Sequence, residues 1–163
     1  MPVGVSTDVV GIRDTIRALN RVEPGLRRQF NAQAAAIAAP AIAEVQKSYT
    51  RVPLSGMNRA WSQGARRLFP FDLGRARRNV KLKVDASRTA IAVINIQQRD
   101  AGTAIFESAG RRTRNHLGNQ LGPLEPNHTR VLGPAVFRKR REITNEMMRL
   151  VRATMKRVER EVG

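Results

Sequence analysis

The chain has 163 residues and is strongly basic, with 30 Lys and Arg against 13 Asp and Glu, a formal net charge of +17. It contains no cysteine, so a disulfide scaffold and any cysteine-based metal site are excluded. Aromatic residues make up only 4% of the chain, so a core must be built from Leu, Ile, Val, Met and Ala.

The net charge points to a class of partner. A positive field of this size attracts nucleic acid or acidic protein surfaces. Arginine dominates the basic residues, and its planar guanidinium pairs bidentately with phosphate or carboxylate. The alternative interpretation is an ordinary solvated surface in a protein from an arginine-biased genome.

Two features of the sequence concern its location. The N-terminus, MPVGVSTDVV, lacks a basic segment followed by a long apolar one, so no signal peptide is predicted. The longest apolar run, at 34–43, is too short and too rich in alanine to span a bilayer. We therefore expect a soluble intracellular protein without a membrane partner, folded as a single domain over residues 1–163.

The N-terminal part of the chain predicts two helices. Residues 10–19 predict a short helix, because three apolar residues recur at helical spacing. Residues 26–49 predict a long one, in which Pro40 should cause a kink or a split because proline removes a helical hydrogen bond. The apolar stripe of the long helix consists of Leu26, Phe30, Ala34, Ile37, Ala41, Val45 and Tyr49.

Two segments rich in Gly and Pro, about 50–72 and 111–132, are predicted to be extended loops. The first of them carries Trp61, Phe69 and Phe71, which need something to bury them. Long loops of this kind are often functional or ordered by a partner. We therefore predict these three aromatic residues as candidates for contacts between subunits.

Residues 79–85 and 89–96 predict an antiparallel β-hairpin. The first segment alternates, with Val80, Leu82 and Val84 on one face and lysines on the other. The second segment is apolar at most positions, so we expect the second strand to be the more buried of the two.

A long C-terminal helix is predicted to begin at Gly133-Pro134, because proline is tolerated in the first turn of a helix. Arg and Glu fill one face of it, and the other is an apolar seam of Phe137, Ile143, Met147, Leu150, Val151, Met155, Val158 and Val162. The predicted fold class is therefore α+β, with a long N-terminal helix, a small antiparallel hairpin or sheet, a long C-terminal helix and extended loops.

The sequence contains no recognisable catalytic constellation. The two histidines, His116 and His128, have no acid at ligand spacing, and neither a G-x-S-x-G motif nor a G-x-x-x-x-G-K loop is present. The few carboxylates lie mostly beside arginines on helix faces, where ion pairing is the default. We predict no catalytic residues, no metal and no cofactor, and an enzyme is the least favoured class.

Basic residues concentrate in two clusters, one in the first loop and strand and one at the start of the last helix. Cations near a helix N-terminus oppose the helix dipole, which suggests an anionic partner for the second cluster. No RNA-binding signature of interleaved aromatic residues accompanies either cluster, so contact with a DNA backbone or an acidic protein surface is favoured over sequence readout. The partner-facing residues are Arg66, Arg67, Arg75, Arg77 and Arg78 in the first cluster, with Lys81 and Lys83 beside them, and Arg138, Lys139, Arg140 and Arg141 in the second.

Three short segments stand out by their order and spacing. Pro70 to Val80 (PFDLGRARRNV) leads into the first strand, Ala104 to Gly110 (AIFESAG) follows the hairpin, and a Pro-Ala pair at 134–135 opens the last helix. In this order, over about residues 10–162, the chain resembles the tail-completion proteins of long-tailed, siphovirus-type bacteriophages. These are small neck proteins of the head–tail junction.

The match to this family is carried by individual positions. In the first segment the proline, the glycine, the second arginine and the apolar strand start fit the pattern Pro-x-x-Thr-Gly-x-Leu-Arg-x-Ser-Ile, whereas Leu73, Ala76 and Asn79 depart from it. In the second segment the glutamate and the last glycine fit the pattern Ala-x-x-x-Glu-Phe-Gly, and Ser108 replaces the aromatic residue.

The resemblance implies a structural virion protein that joins tail to head and does no catalysis. It implies a ring of identical subunits, a homohexamer, in the virion neck after assembly in the host cytoplasm. Its partners would be tail terminator or tail-tube proteins and portal, adaptor or stopper proteins, with genome DNA in the lumen. The alternative is a basic nucleic-acid-binding protein that contacts the DNA backbone without sequence readout, for which the charge is the argument.

The resemblance also suggests a role for the lone acid in AIFESAG. The segment would be a turn after the hairpin, with Phe106 in the core and Gly110 releasing the chain into a loop. Glu107 would then pair with an arginine of its own or of a neighbouring subunit, which makes it a fourth candidate for contacts between subunits. A solvent-facing acid beside a buried phenylalanine is the alternative.

Overall fold

The computed structural model describes residues 3–7, 17, 21, 24–59, 61–63, 66–84, 94–112, 115–124 and 129–162. The short helix predicted at 10–19 lies outside them, except for Arg17, which is helical. The described elements are β1 (Val3–Thr7), α1 (Pro24–Ser48), β2 (Trp61–Gln63), β3 (Arg66–Leu68), α2 (Leu73–Arg78), β4 (Val80–Val84), β5 (Ile94–Gln98), α3 (Ala101–Ser108), α4 (His116–Leu121) and α5 (Leu132–Val162).

The fold class is α+β, as predicted, with two long helices and a small antiparallel three-stranded sheet. The strand order is β1-β5-β4, so β5 is the central strand. Alternate residues of β5 are buried, whereas β4 buries Val80 and exposes both of its lysines. The expectation that the second strand is the more buried is therefore confirmed, although β5 ends at Gln98 rather than at 96. Residues 85–93, which include the predicted turn, lie outside the described residues.

Helix α1 continues through Pro40 as one element, so the predicted split is wrong. Pro40 is exposed, so its ring faces solvent and not the packed side of the helix. The buried stripe has the predicted spacing of three and four, with Ala38 in the place predicted for Ile37, which is half-buried. The buried residues of this stripe are Leu26, Phe30, Ala34, Ala38, Ala41, Val45 and Tyr49.

The first five residues of AIFESAG, 104–108, belong to helix α3, and the segment ends just beyond it. The predicted turn is therefore wrong. Asp100 starts the helix, because its carboxylate accepts hydrogen bonds from Thr103 N at 2.9 Å and from Thr103 Oγ1 at 2.7 Å. Phe106 is buried, as expected, and its ring meets that of Phe71 edge-on, with centroids 5.7 Å apart.

The two predicted loops contain regular structure. Strands β2 and β3 pair antiparallel within 50–72, with Ser62 opposite Arg67. Helix α4 lies within 111–132 and begins where Asn115 Oδ1 accepts a hydrogen bond from Gly118 N at 2.6 Å. Short polar caps of this type form turns and short helices that a scan for hydrophobic periodicity does not detect.

Helix α5 begins at Leu132, one residue before the predicted start, and Pro134 falls in its first turn as expected. Ile143, Met147, Val151 and Val158 are buried, which confirms this part of the seam, and Leu150 and Met155 are half-buried. Phe137 and Val162, near the two ends of the helix, are exposed, so their assignment to the seam was wrong. Among the described helices, none has the length and the hydropathy that crossing a membrane requires.

The chain divides into two compact units. Unit 1 contains residues 1–5, 42–81 and 96–138, and unit 2 contains residues 6–41, 82–95 and 139–163. The prediction of a single domain stays a prediction. Each unit has its own buried side chains, which are Tyr49, Met57, Phe71, Val80, Phe106 and Leu132 among others in unit 1, and Phe30, Ala34, Ile94, Ile143, Met147 and Val151 among others in unit 2.

Candidate functional site

The carboxylate of Glu107 is buried in unit 1 and caps the start of helix α5. Its Oε2 accepts hydrogen bonds from Arg130 N at 2.7 Å and Val131 N at 3.0 Å. Its Oε1 accepts one from Leu132 N at 3.1 Å and one from the hydroxyl of Tyr49 at 2.6 Å. Four donors therefore meet the four lone-pair sites of the two oxygens. A negative charge at this end of a 31-residue helix also interacts favourably with the helix dipole.

Two neighbours complete the cap. The hydroxyl oxygen of Thr129 accepts a hydrogen bond from Gly133 N at 2.6 Å. Pro134 has no N–H and therefore needs no partner. The first main-chain donors of α5, which a helix cannot satisfy by itself, are thus covered by one buried acid and one hydroxyl.

Helix α3 holds Glu107 in place. It is anchored at Gly102, where a Cβ atom would overlap the main-chain carbonyl of Pro70. Phe106 packs on Phe71 one residue before the carboxylate. The segment before α2 and the helix that carries Glu107 are thereby fixed against each other.

Tyr49 and Gln98 extend the buried network. Gln98 Nε2 donates to Ala76 O at 2.8 Å and, more weakly, to the Tyr49 oxygen at 3.4 Å, while Gln98 Oε1 accepts from Asp100 N at 2.9 Å. Burial, followed by the nearby charge of Glu107, raises the pKa of Tyr49 far above its ordinary value near 10. The phenol is therefore a permanent hydrogen-bond donor to the carboxylate.

Arg130 connects the network to the segment that carries α4. Its guanidinium donates five hydrogen bonds to four main-chain carbonyls, those of Phe106, Ala109, Gly118 and Gly122, at 2.6–3.3 Å. Burial lowers the pKa of Arg130, and the charge of Glu107 opposes this shift. Arg130 thus ties the end of α3 to α4 and to Gly122, which follows α4.

A pair of glycines allows the chain after α3 to approach α4 closely. Gly110 has φ +88°, a left-handed conformation that glycine adopts without strain. A Cβ atom on Gly118 would lie 2.8 Å from the Gly110 Cα, so the two main chains touch. Gly110 therefore turns the chain back against itself, whereas the prediction had it release a protruding loop.

Two predicted contacts between subunits are corrected by this geometry. Glu107 has 0% of its surface exposed, and all four hydrogen bonds described above lie within its own chain, so it neither faces solvent nor offers a surface to a neighbour. Phe71 is 1% exposed and belongs to the core beside Phe106. Phe69 is 62% exposed and remains a candidate. Trp61 lies on β2, and its side chain is outside the described residues.

The first predicted basic cluster is only partly brought together. Arg75 Nε lies 3.7 Å from Asp100 Oδ1, so this arginine is engaged in an ion pair. Arg77 and Arg78, at the end of α2, line an open pocket of unit 1 together with two residues from the last turn of α1, Gln46 and Lys47. The remaining two members, Arg66 and Arg67, lie on β3, and their side chains are outside the described residues.

The second predicted basic cluster does not form one surface. Arg138 belongs to unit 1, where its Nη2 lies 3.0 Å from Glu44 Oε1 and 3.1 Å from Ser48 Oγ. Lys139 belongs to unit 2 and pairs with Glu142 at 3.2 Å. Arg140 and Arg141 follow it in unit 2 and are exposed. Because α5 begins at Leu132, all four cations lie beyond the first turn, and the conflict with the helix dipole is smaller than predicted.

Four positions were not predicted from the sequence. Tyr49, through its hydroxyl, Gln98 and Arg130 belong to the buried network, and Lys47 lines the open pocket. Gln98 carried a usable signal, because it continues the buried face of β5 after Ile94 and Ile96 and a buried amide requires partners. Arg130 carried no such signal, since its role depends on main-chain carbonyls at the end of α3 and in and just after α4, which meet it only in the folded chain.

Among the described residues, no group of three His, Asp or Glu side chains is arranged to hold a metal ion. Comparison of this chain with protein-family models, with curated proteins and with solved structures gives no match.

Proposed function

We propose that this protein is a structural component of the bacteriophage head–tail connection. In this proposal it forms a ring of identical subunits, a hexamer, that joins tail to head without catalysis. The observation that carries the proposal is the convergence of the three segments on which the family resemblance rests. Each is short and degenerate by itself, but within unit 1 the first packs on the helix that carries the second, and Glu107 of the second caps the helix that carries the third.

The convergence is specific. The first segment meets the second through Phe71 and Phe106, and through the close approach of Gly102 to Pro70. The second segment meets the third because Glu107 caps the helix that carries the Pro-Ala pair. Pro70 and Glu107, which fit the family's patterns, both take part in these contacts, and this supports the proposal.

The polar centre also supports a structural role. A catalytic carboxylate needs a free oxygen or a transferable proton within reach of a substrate. Both oxygens of Glu107 are saturated by four donors of the same chain, and the side chain is sealed from solvent. In this proposal Glu107 holds three segments together and contacts no substrate.

The proposed partners are other copies of the chain, tail terminator or tail-tube proteins, and portal, adaptor or stopper proteins of the neck. The exposed cations of unit 1 would face anionic surfaces of these neighbours. Charges at the rim of an interface mainly set association rates and salt dependence, while buried apolar anchors contribute more to affinity. Phe69, at 62% exposed, is the aromatic residue best placed to be such an anchor.

The proposal can be tested on particles. Virions of the parent phage are washed at about 1 M salt, where the Debye length falls to about 3 Å and purely electrostatic adsorption is lost. The bound protein is then quantified by mass spectrometry against the portal protein. A fixed ratio of protein to portal that survives the wash is expected, and loss of the protein from washed particles would contradict the proposal.

A further inference from the structure

The pocket lined by Gln46, Lys47, Arg77 and Arg78 has features of an anion site that the fold does not require. It is open to solvent and lies wholly within unit 1, between the last turn of α1 and the end of α2. Of the described residues that line it, three are cations and none is an acid. We call it the basic pocket.

Arg77 is held in a fixed position inside the basic pocket. Its Nε and Nη2 donate to the main-chain carbonyl of Tyr49 at 3.0 and 2.7 Å. This carbonyl follows the C-terminus of α1, where main-chain acceptors lack helical partners. A carbonyl accepts hydrogen bonds without neutralising the charge, so the guanidinium is oriented and still fully positive. An oriented arginine loses less side-chain entropy when an anion binds.

The positive charge of the basic pocket is not cancelled nearby. In the part of the chain that the structure describes, no ion pair involves Lys47, Arg77 or Arg78. Of the acids on the adjacent elements, Glu44 pairs with Arg138. Asp72 caps α2 by accepting from Arg75 N at 2.6 Å and forms no ion pair with the three cations.

A structural explanation accounts for only part of this arrangement. Cations near the C-terminus of a helix interact favourably with its dipole, and this explains Lys47 and Arg77. It does not explain Arg78, which follows Arg77 on α2 and lines the same pocket without an acid partner. It also does not explain why the cations surround an open concavity.

We propose that the basic pocket binds the phosphodiester backbone of double-stranded DNA. A phosphate accepts hydrogen bonds from an oriented guanidinium and from flanking cations, and the open mouth admits a continuous polymer. None of the described residues that line the pocket is aromatic, so they offer the bases of a single strand no surface on which to stack. The contact is therefore to the backbone of a duplex and carries no sequence preference. The inference rests on unit 1 alone and does not depend on a role at the head–tail junction.

The test measures binding of the purified full-length protein to a fluorescent duplex of random sequence by anisotropy over a series of salt concentrations. The test variant is Lys47→Gln with Arg78→Gln, which spares Arg77 and its bond to Tyr49. Each phosphate contact contributes about 0.9 to the slope of log K against log salt. The variant should lose about 1.8 of that slope and bind about tenfold or more weakly near 0.1 M salt.

The matched control is Arg152→Gln with Lys156→Gln, which removes the same two charges from exposed positions of α5 in unit 2. It should bind DNA within about twofold of the parent protein, because neither cation lines the basic pocket. Equal losses in the two variants would show a diffuse charge effect and overturn the proposal. Unchanged binding by the Lys47/Arg78 variant would overturn it as well.

A competition experiment distinguishes DNA from an acidic protein. A poly-glutamate chain with the same number of charges as the duplex is titrated against the bound DNA. Weaker competition by poly-glutamate than by unlabelled duplex is expected, because phosphates are more densely spaced along DNA. If poly-glutamate competes more strongly than the unlabelled duplex, the DNA proposal is wrong and an acidic protein is the favoured partner. Either result leaves the proposed head–tail role open to its own particle test.

Discussion

Units 1 and 2 stabilise their interiors by different means. All four polar or charged side chains that are buried among the described residues, Gln98, Thr103, Glu107 and Thr129, belong to unit 1. Among the residues described in unit 2, the fully buried side chains are apolar. Two half-buried residues of this unit, Asn31 and Asn95, each have a buried Oδ1 atom without a hydrogen-bond partner. Unit 1 satisfies its buried polar groups in one network, whereas unit 2 relies on hydrocarbon contact.

The two units also differ in charge. Unit 1 carries 15 Lys and Arg against 5 Asp and Glu, and unit 2 carries 15 against 8. In unit 1, four of the five acids act as helix caps or ion-pair partners: Glu44, Asp72, Asp100 and Glu107. Since 15 cations stand against 5 acids, unit 1 keeps a net charge of 15 − 5 = +10 even where its acids form ion pairs. The polar interior of unit 1 and its basic surface are thus two results of the same distribution of charge.

This difference predicts where single substitutions do most damage. Removing one partner from a buried charged network leaves donors unsatisfied, and adding a charge to an apolar seam leaves that charge unsolvated. Unit 1 should therefore be sensitive to loss of polar groups, and unit 2 to their introduction.

The largest effect is expected in unit 2 from Met147→Asp. Met147 is 0% exposed on the apolar seam of α5, so the new carboxylate would be buried without a partner. We expect a loss of about 4 kcal/mol or more, or failure to fold, measured by denaturant unfolding. The control is Ala153→Asp, which adds the same charge at an exposed position of α5. If both variants unfold like the parent protein, Met147 does not lie in an apolar interior.

The second-largest loss of stability is expected in unit 1, from Glu107→Gln. An amide offers one acceptor oxygen and two donors, so main-chain N–H groups at the start of α5 would lose their acceptor. We expect the free energy of unfolding to fall by about 3 kcal/mol. Glu142→Gln removes an exposed acid of an ion pair and should change stability by about 0.5 kcal/mol or less. Equal, small effects in the two variants would show that the buried cap does not stabilise the fold.

The third effect tests the packing of α3 on the segment before α2. Gly102→Ala would push a methyl group into the main-chain carbonyl of Pro70, so the backbone must shift, at a cost of about 1–3 kcal/mol. In Gly74→Ala the new methyl group would meet two side-chain ends, Arg78 Nη1 at 3.1 Å and Asp72 Oδ1 at 3.3 Å, which need to shift by only a few tenths of an ångström. The gain in helix propensity offsets these contacts. Thermal melts of the two variants should therefore differ, and a Gly102→Ala variant as stable as Gly74→Ala would contradict the close approach.

The smallest effect at neutral pH is expected from Tyr49→Phe, which removes one donor to Glu107 and costs about 1 kcal/mol. Its pH dependence is more informative. Because the folded state raises the pKa of Tyr49, the unfolded chain ionises first. The contribution of Tyr49 is fully present below about pH 10 and is lost as the pH rises above it, by at most about 1.4 kcal/mol per pH unit.

The chain contains a single tyrosine, so tyrosinate absorbance reports Tyr49 alone. We expect no tyrosinate signal in the folded protein as the pH passes 10, followed by ionisation together with unfolding. The alkaline fall in stability should be smaller in Tyr49→Phe than in the parent protein. Ionisation near pH 10 in a protein that stays folded would contradict the buried hydrogen bond to Glu107.

The sequence predicted the elements in which apolar residues recur with a helical or strand period. Helices α1 and α5 span many turns, so the recurrence of apolar residues located both within a few residues. Strand β4 was found from its alternation of valines and lysines. Helix α3 was missed because AIFESAG is shorter than the window in which a helical period can be recognised, and its start depends on the side chain of Asp100.

The candidate site was predicted less well than the fold. The sequence singled out Glu107 but not its burial, because the donors that satisfy it come from residues 23–58 positions away. It grouped Arg138 to Arg141 by adjacency, although the structure assigns them to different units and partners. Lys47 was not predicted, since it joins Arg77 and Arg78 only after α1 and α2 have packed.

The most direct test of the central claim, that this protein joins heads to tails, is electron microscopy of a lysate from which its gene is deleted. The account predicts DNA-filled heads and separate tails, with few joined or infectious particles, and recovery when the intact gene is supplied in trans. Tailed, infectious particles in normal numbers without the gene would contradict the claim.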